Sequence, residues 1–475
     1  MLKQIQQHCQ KEFDSNTLKA LEGFVSIKAI TPDFDKDWEA NGLLTETAKY
    51  FSDWVKLQNI KGLKLEILKD PGYTPFIFIE IDPSSPEIKK SFGLYAHLDK
   101  MPPLNESLWT SGALPYQSKI IDGYLYGRGV LDDGYAPFCF ISVIKIIQEL
   151  NLPHGKIYCL FEFDEESSGD HIKYYITKLY NRIKDINILI ASDAGGADFE
   201  RLWITSSLRG NIRLNLKAKL IEEPVHSVDG GGVIPDTLRI IRILLSRLED
   251  EETGKMIDEL NPPIPPKAIK EAEESYKLIW DAYLSKFNRI EGSQIESYRN
   301  TNPIFEAFLN RAWRSSLTIV GGGLLPPLEA AGNIIRSETI LTLSIRTAPH
   351  LILEKAHEII KERLTLNSPY GAKMTLFDYA ASEGVYLKPL SSQILNILNE
   401  CSQNIFGSNI RYMNEGGSIP FLTYFNKQFP NSEIISSGAT GPNCCEHAPN
   451  ERLNLLFTKQ YMSCIAFLIT EYSIK

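Results

Sequence analysis

A short apolar run that stops on two adjacent carboxylates, Ile157 to Gly169 (IYCLFEFDEESSG), constrains this chain more than any other stretch. Ile157, Tyr158, Cys159, Leu160 and Phe161 are too continuously apolar for a strand with one wet face, so they predict a strand covered on both sides, as in an open α/β sheet. Ser167, Ser168 and Gly169 end the run and leave Glu165 and Glu166 just past the strand's C-terminal end. Ligands bind at that edge of such sheets, and two neighbouring like charges there need a cation between them or a shared proton. On its own the pair is weak, because Glu-Glu is common on solvated helix faces.

At 475 residues the chain exceeds what one hydrophobic core supports, which predicts two domains. Hydrophobic residues at 43% and charged ones at 23% are ordinary for a globular protein. The 50 basic and 59 acidic residues leave a net charge of −9, the wrong sign for a phosphate-backbone binder, so no nucleic-acid partner is expected. No run approaches the roughly 18 apolar residues of a spanning helix, and the first residues, MLKQIQQHCQKEF, lack the unbroken apolar core of a signal peptide. A cytoplasmic protein without a membrane partner is therefore expected. The 7 cysteines are odd in number and scattered, with no C-x-x-C pair, which fits reduced thiols better than a disulfide framework.

Residues up to about 70 read as helix, loop, helix, with Leu43, Ala48, Phe51 and Val55 on one face of the second helix. Phe76 to Ile81 and Ser91 to Ala96 read as strands, and the second ends in His97-Leu98-Asp99, whose i, i+2 spacing puts both polar side chains on one side of the strand tip. Gly127-Arg-Gly-Val-Leu-Asp-Asp-Gly134 begins like a phosphate loop, but an aspartate replaces the third glycine and no Lys-Ser/Thr pair follows. What remains is a tight turn presenting Asp132 and Asp133 ahead of a helical pattern from Phe138 to Leu150. Asn187 to Ser192 is a further apolar run, and it stops at Asp193. Each signal is commonplace alone. Four successive strand or turn ends that deliver His, Asp, Glu-Glu and Asp to one sheet edge predict a metal site.

The motifs AHLD, GRGVLDDG, DEESSG and SDAGG make the sequence resemble the M20 family of co-catalytic zinc peptidases and deacylases, in particular its carnosinase-like dipeptidase branch, over nearly the whole chain. The resemblance implies an α/β fold: a catalytic domain with a central mixed β-sheet flanked by helices, residues 1–207 and 378–475, and an inserted smaller α+β, ferredoxin-like lid and dimerisation domain, residues 208–377. The alternation in RGNIRLNLKAKL after Leu208 reads as an exposed strand opening that second domain. His226, Ser227, Gly231 and Gly232 match the family's lid motif, with Val228 where its first glycine stands. Glu249 to Arg314 is polar and helical and resembles the extension of longer members, and Ser316–Val320 and Thr339–Arg346 read as lid strands. Asn333 and Arg346 match positions that hold substrate in the family, and a guanidinium fork suits a free carboxylate. Asn414 to Pro420 (NEGGSIP) matches a further segment, with Asn414 in place of the family's arginine; Gly417 and Ser418 are expected to meet substrate there. His447, in GPNCCEHAPNE, supplies a second histidine.

Carried over residue by residue, the resemblance implies two Zn²⁺ ions, with Mn²⁺ or Co²⁺ as possible substitutes, bridged by Asp132. One ion takes His97 and Asp193, the other Glu166 and His447. Glu165 is left as the base for a bridging water, and Asp99 orients the His97 ring. His226 is implied to reach the oxyanion from the lid of a second subunit, so a homodimer is expected. The implied reaction is hydrolysis of the amide bond of dipeptides or short peptides with a free carboxylate, because aspartate at position 193 is usual in the family's peptidases and glutamate in its deacylases. An N-acyl-amino-acid deacylase is the alternative within this chemistry, and a catalytically silent zinc-binding scaffold the alternative outside it.

Overall fold

The apolar runs form the middle of a nine-stranded mixed sheet in the computed structural model, which describes residues 1–287 and 289–474. The strands lie in the order Leu63–Leu68, Phe76–Ile81, Lys156–Glu162, Ser91–His97, Ile188–Ala191, Glu433–Ser436, Trp203–Leu208 and Val385–Tyr386, and Arg411–Glu415 also pairs with Trp203–Leu208. The four central strands, from Lys156–Glu162 to Glu433–Ser436, run parallel, so their C-terminal ends share one edge. Side-chain alternation explains the continuous apolarity of the opening run. Ile157, Cys159 and Phe161 pack with the helices Leu2–Glu12, Tyr135–Glu149 and Leu455–Ile474. Tyr158 and Leu160 pack on the other face, with Asp170–Ile183 and Pro420–Gln428. The strand Leu63–Leu68 was not anticipated, and in the helix Leu43–Lys56 the buried stripe begins at Leu44 rather than Leu43.

A second, four-stranded antiparallel sheet falls in the stretch expected as the lid, in the order Ser316–Gly323, Glu338–Thr347, Gly210–Lys219, Lys373–Ser382. With helices Thr237–Leu245 and Leu353–Thr365 it follows a β-α-β-β-α-β path, the ferredoxin-like arrangement. Ile212, Leu214, Leu343 and Ile345 pack under those helices, which leaves the alternate residues on the opposite face.

Two features correct the expected division at 208–377. The last lid strand runs on to Ser382, past residue 377. The helices Pro266–Ala282 and Pro303–Ala312, expected within the lid, bury Ala268, Ala272, Ile279, Phe308 and Leu309 against Trp203 and Met413 of the large sheet. The smaller sheet's own two helices already cover its apolar face, so the extension's apolar stripe finds its partner on the large sheet. Among the described residues no helix is long and apolar enough to cross a membrane, and all seven cysteines are free.

Candidate metal centre

The shared edge of the parallel strands gathers the residues singled out in the sequence. His97 ends its strand, Glu165 and Glu166 follow Lys156–Glu162, and Asp193 follows Ile188–Ala191. Asp132 comes from the turn ahead of helix Tyr135–Glu149, and His447 from the loop after Glu433–Ser436. Asp132 lies between two imidazoles: its Oδ1 is 3.2 Å from His97 Nε2 and its Oδ2 is 2.8 Å from His447 Nε2. His447 Nε2 also lies 2.9 Å from Glu166 Oε2, and His97 Nε2 lies 3.8 Å from Asp193 Oδ1. Donor atoms of His97, Asp132 and Glu166 fall within 4.8 Å of one another, as do those of His97, Glu165 and Asp193. Behind them, the Asp99 carboxylate lies 3.3 Å from His97 Nδ1 and accepts the backbone N–H groups of Glu165 and Glu166 at 3.3 and 3.1 Å. The Asp99 backbone carbonyl, 3.2 Å from the same Nδ1, is the ring's hydrogen-bond acceptor, so one residue fixes the histidine ring and the start of the Glu-Glu turn together.

The electrostatics suit cations. Burial, with Asp193 next, drives the Glu165 carboxyl well above its ordinary range. Burial likewise pushes Glu166 to about 8, helped by Asp132, and Asp193 to about 6. Burial would raise Asp132 too, but hydrogen bonds from His447 and His97 outweigh it and hold that carboxylate well down. Asp132 and Glu166 in turn push His447 to about 11. Two imidazoles do not neutralise four carboxylates, and Glu166 Oε1 is buried with no hydrogen-bond partner among the described residues. Buried lone pairs facing a cluster of nitrogen and oxygen donors are what divalent cations satisfy, so the residues present fit such ions.

A buried ion pair that the sequence reading passed over braces this centre. Glu451 and Arg128 lie 2.7 Å apart, with 0% and 1% of their side chains exposed. Glu451 also accepts the backbone N–H groups of Gly129, Leu131 and Asp132 at 3.0, 3.0 and 3.3 Å, and Arg128 Nη2 donates to the Ala448 carbonyl at 3.1 Å. The Asp132 turn and the His447 loop are thus tied to each other. Gly129 is required in that turn: its φ is +75°, and a Cβ there would meet the Lys100 side chain at 2.6 Å. Both charged residues stood inside quoted motifs, GRGVLDDG and EHAPNE, which was the available signal.

Two cavities open beside the cluster. One, of about 510 Å³, is lined by Asp132, Glu165, Asp193 and His447 together with Gly417, Ser418, Arg311, Glu415 and Glu446. The other, of about 930 Å³, lies between the two domains and shares Glu165, Ser418 and His447 with the first. Gly417 and Ser418 are therefore brought to the site. Asn414 is buried instead, donating to Ser206 and Ser207 Oγ at 2.9 and 3.0 Å. The cation at that corner comes from Arg311, which donates to the Asn414 carbonyl at 2.9 Å and pairs with Glu415 at 3.0 Å.

His226, Asn333 and Arg346 line neither cavity. His226 is exposed on a two-residue ribbon, Val225–His226 against Ile334–Ile335, and its Nδ1 accepts the Val228 N–H at 3.0 Å. Asn333 sits beside it, its carbonyl accepting the Ser227 N–H at 2.8 Å. Arg346 is half-buried opposite Asn211 in the lid sheet. Of the two thiols near His447, burial pushes Cys444 up to about 12 and keeps it quiet.

The model of peptidase family M20/M25/M40 matches residues 93–470, so the chain belongs to that family and is a hydrolase, and divalent-metal use comes with membership. The chain is 25% identical over 467 residues to the Cys-Gly metallodipeptidase DUG1 of Saccharomyces cerevisiae, covering 93% of each chain. It is 24% identical over 399 residues to the Beta-Ala-His dipeptidase of Rattus norvegicus, covering 80% of this chain and 76% of that one. Its fold matches the crystal structure of human carnosine dipeptidase 1 with a TM-score of 0.74 at 18% identity, over 100% of this chain and 99% of the other.

Proposed function

We propose that the chain is a metal-dependent dipeptidase that hydrolyses the amide bond of dipeptides or short peptides with a free carboxylate. The observation that carries this reading is Asp132, with a histidine on each carboxylate oxygen and Glu165 beside it on the wall of both cavities. His97, Asp132 and Asp193 would hold one Zn²⁺, and Asp132, Glu166 and His447 the other, with Mn²⁺ or Co²⁺ as substitutes. When bound, such ions polarise the scissile carbonyl and acidify water in the cleft, from near 16 to about 7 in pKa. Glu165 takes the proton of the attacking water and returns it to the leaving nitrogen, for which a raised pKa suits it. Asp99 accepts from His97 Nδ1, which keeps the Nε2 lone pair directed at the cluster.

His226 would come from a second copy. In a homodimer joined through the lid, His226 of the partner subunit would donate a hydrogen bond to the developing oxyanion. Exposed apolar side chains on the lid support such an interface, Val228 at 81%, Leu328 at 94% and Ile334 at 55% exposure. The dipeptidase names of the relatives favour peptides over acyl amino acids as substrates.

The test is hydrolysis of a panel of dipeptides and N-acyl amino acids by the purified protein, before and after chelation, with Glu165→Ala alongside. Dipeptide cleavage is expected to vanish with chelator and to fall by about 10²–10⁴ in the variant while its metal content is retained. Cleavage of acyl amino acids alone would make the protein a deacylase. No turnover with metal bound would make it a scaffold.

A further inference from the structure

The larger cavity carries a charge that the proposed chemistry does not use. Arg213 lies on the lid strand Gly210–Lys219 and lines the same cavity as Glu165, Glu166 and His447. Its neighbours Ile212 and Leu214 are buried under the lid helices, so Arg213 belongs to the opposite sheet face, which it shares with Arg346. In register Arg346 stands opposite Asn211 and Ser344 opposite Arg213, which makes the two arginines diagonal neighbours, about 7–8 Å apart along the backbone.

The other cations on this cavity are occupied. Lys173 pairs with Asp170 at 2.7 Å, and Lys427 pairs with Glu383. Arg213 is exposed and has neither a hydrogen bond nor an ion pair among the described residues. Beside it, the Asn211 amide oxygen accepts from Ser344 Oγ at 3.2 Å, which leaves the amide N–H groups as further donors. With Lys173 and Lys427 taken up by Asp170 and Glu383, a second substrate carboxylate on this wall has Arg213 as its unpaired cation. An unpaired guanidinium facing that wall reverses the sign locally, and its fork fits a carboxylate.

We propose that Arg213 is a specificity-determining residue that favours peptides whose C-terminal residue carries a second, side-chain carboxylate, as aspartate and glutamate do. The inference rests on the dipeptidase reading and on the resemblance that implies Arg346 for the main-chain carboxylate; Arg213, its diagonal neighbour on the same face and itself on the cavity wall, would take the side chain's.

The experiment compares kcat/KM for Ala-Asp with Ala-Asn, and for Ala-Glu with Ala-Gln, in the wild type and in Arg213→Gln. The wild type is expected to favour the acidic member of a pair by roughly tenfold to a hundredfold, the range of one charge-assisted hydrogen bond. In Arg213→Gln that ratio should fall to within about twofold, chiefly through KM, and Arg213→Lys should keep part of it, as a point charge without the fork. A wild type without the preference, or a variant that retains it, overturns the inference and leaves the dipeptidase reading standing. Should no dipeptide be cleaved, that reading fails instead. Calorimetric titration of the same protein with Ala-Asp and Ala-Asn then decides the role of Arg213, and equal affinities overturn it.

Discussion

The candidate metal centre and the His226 ribbon are built in opposite ways. Every residue of the centre comes from a strand end or loop of one chain, and most are held by something buried behind them: Asp99 braces His97 and the Glu-Glu turn, and Glu451 braces the Asp132 turn against the His447 loop. His226 sits on strands two residues long, exposed, with a ring that among the described residues bonds only the N–H two residues ahead. The first arrangement is preorganised by the fold of a single chain. The second sets the direction of a side chain but supplies it with no target in that chain's cavities.

Removing a brace from the centre should have the largest effect. Glu451→Ala leaves Arg128 charged and almost fully buried without its partner, and frees three backbone N–H groups. A loss of about 3–5 kcal/mol in unfolding free energy is expected from urea titration. Glu451→Gln keeps the shape and part of the hydrogen bonding, so it should fold and show weaker metal retention on dialysis. If Glu451→Gln binds metal as the wild type does, the two loops are held by packing and not by this pair.

A smaller effect, on rate alone, is expected at the ribbon. His226→Ala should keep its metal and its stability and lose about 10²–10³ in kcat, the effect of removing one oxyanion donor. Mixing it with Glu165→Ala after subunit exchange should restore about a quarter of wild-type activity, because a mixed dimer with two-fold symmetry of contact has one complete site. A mixture as inactive as its components would mean that His226 does not cross between subunits, and the contrast between the two regions would lose its explanation.

How much of this was legible in the sequence follows from the same contrast. His97, Asp132, Glu165, Glu166 and Asp193 could be found because an apolar run that ends in a polar residue marks a buried strand's tip. Parallel strands then bring those tips to one edge. The pairing of Arg128 with Glu451 spans 323 residues, and nothing local in either motif encodes it. Arg311 escaped for a related reason: the absence of an arginine at position 414 was visible, but the placing of Arg311 beside it depends on how the helix Pro303–Ala312 packs on the large sheet. The boundary near 377 was misread where the pairing of Lys373–Ser382 shifts register between Phe377 and Ala380, since such a break ends the alternation that identifies a strand.

The smallest predicted effect separates the centre's scaffold from its chemistry by pH. Lys100, three residues after His97, is wholly buried, and its Nζ donates to the carbonyls of Phe24, Val25 and Ile27 at 2.9, 3.2 and 2.7 Å, closing the end of the helix Leu18–Val25 onto the strand tip. Burial, only partly opposed by Glu451, pushes its pKa down to about 7 from 10.5. The unfolded chain therefore binds the extra proton between those values, so this group's contribution to stability is least below pH 7 and grows as the pH rises toward 10.5. Between pH 7 and 9 the wild type should gain about 2–3 kcal/mol relative to Lys100→Met, at about 1.4 kcal/mol per pH unit. Parallel urea titrations of the two proteins isolate the term, since every other titrating group cancels in the difference. A difference that stays flat over that interval would mean that the three carbonyls hold Lys100 charged, and that the strand tip is clamped by an ammonium through the whole working range.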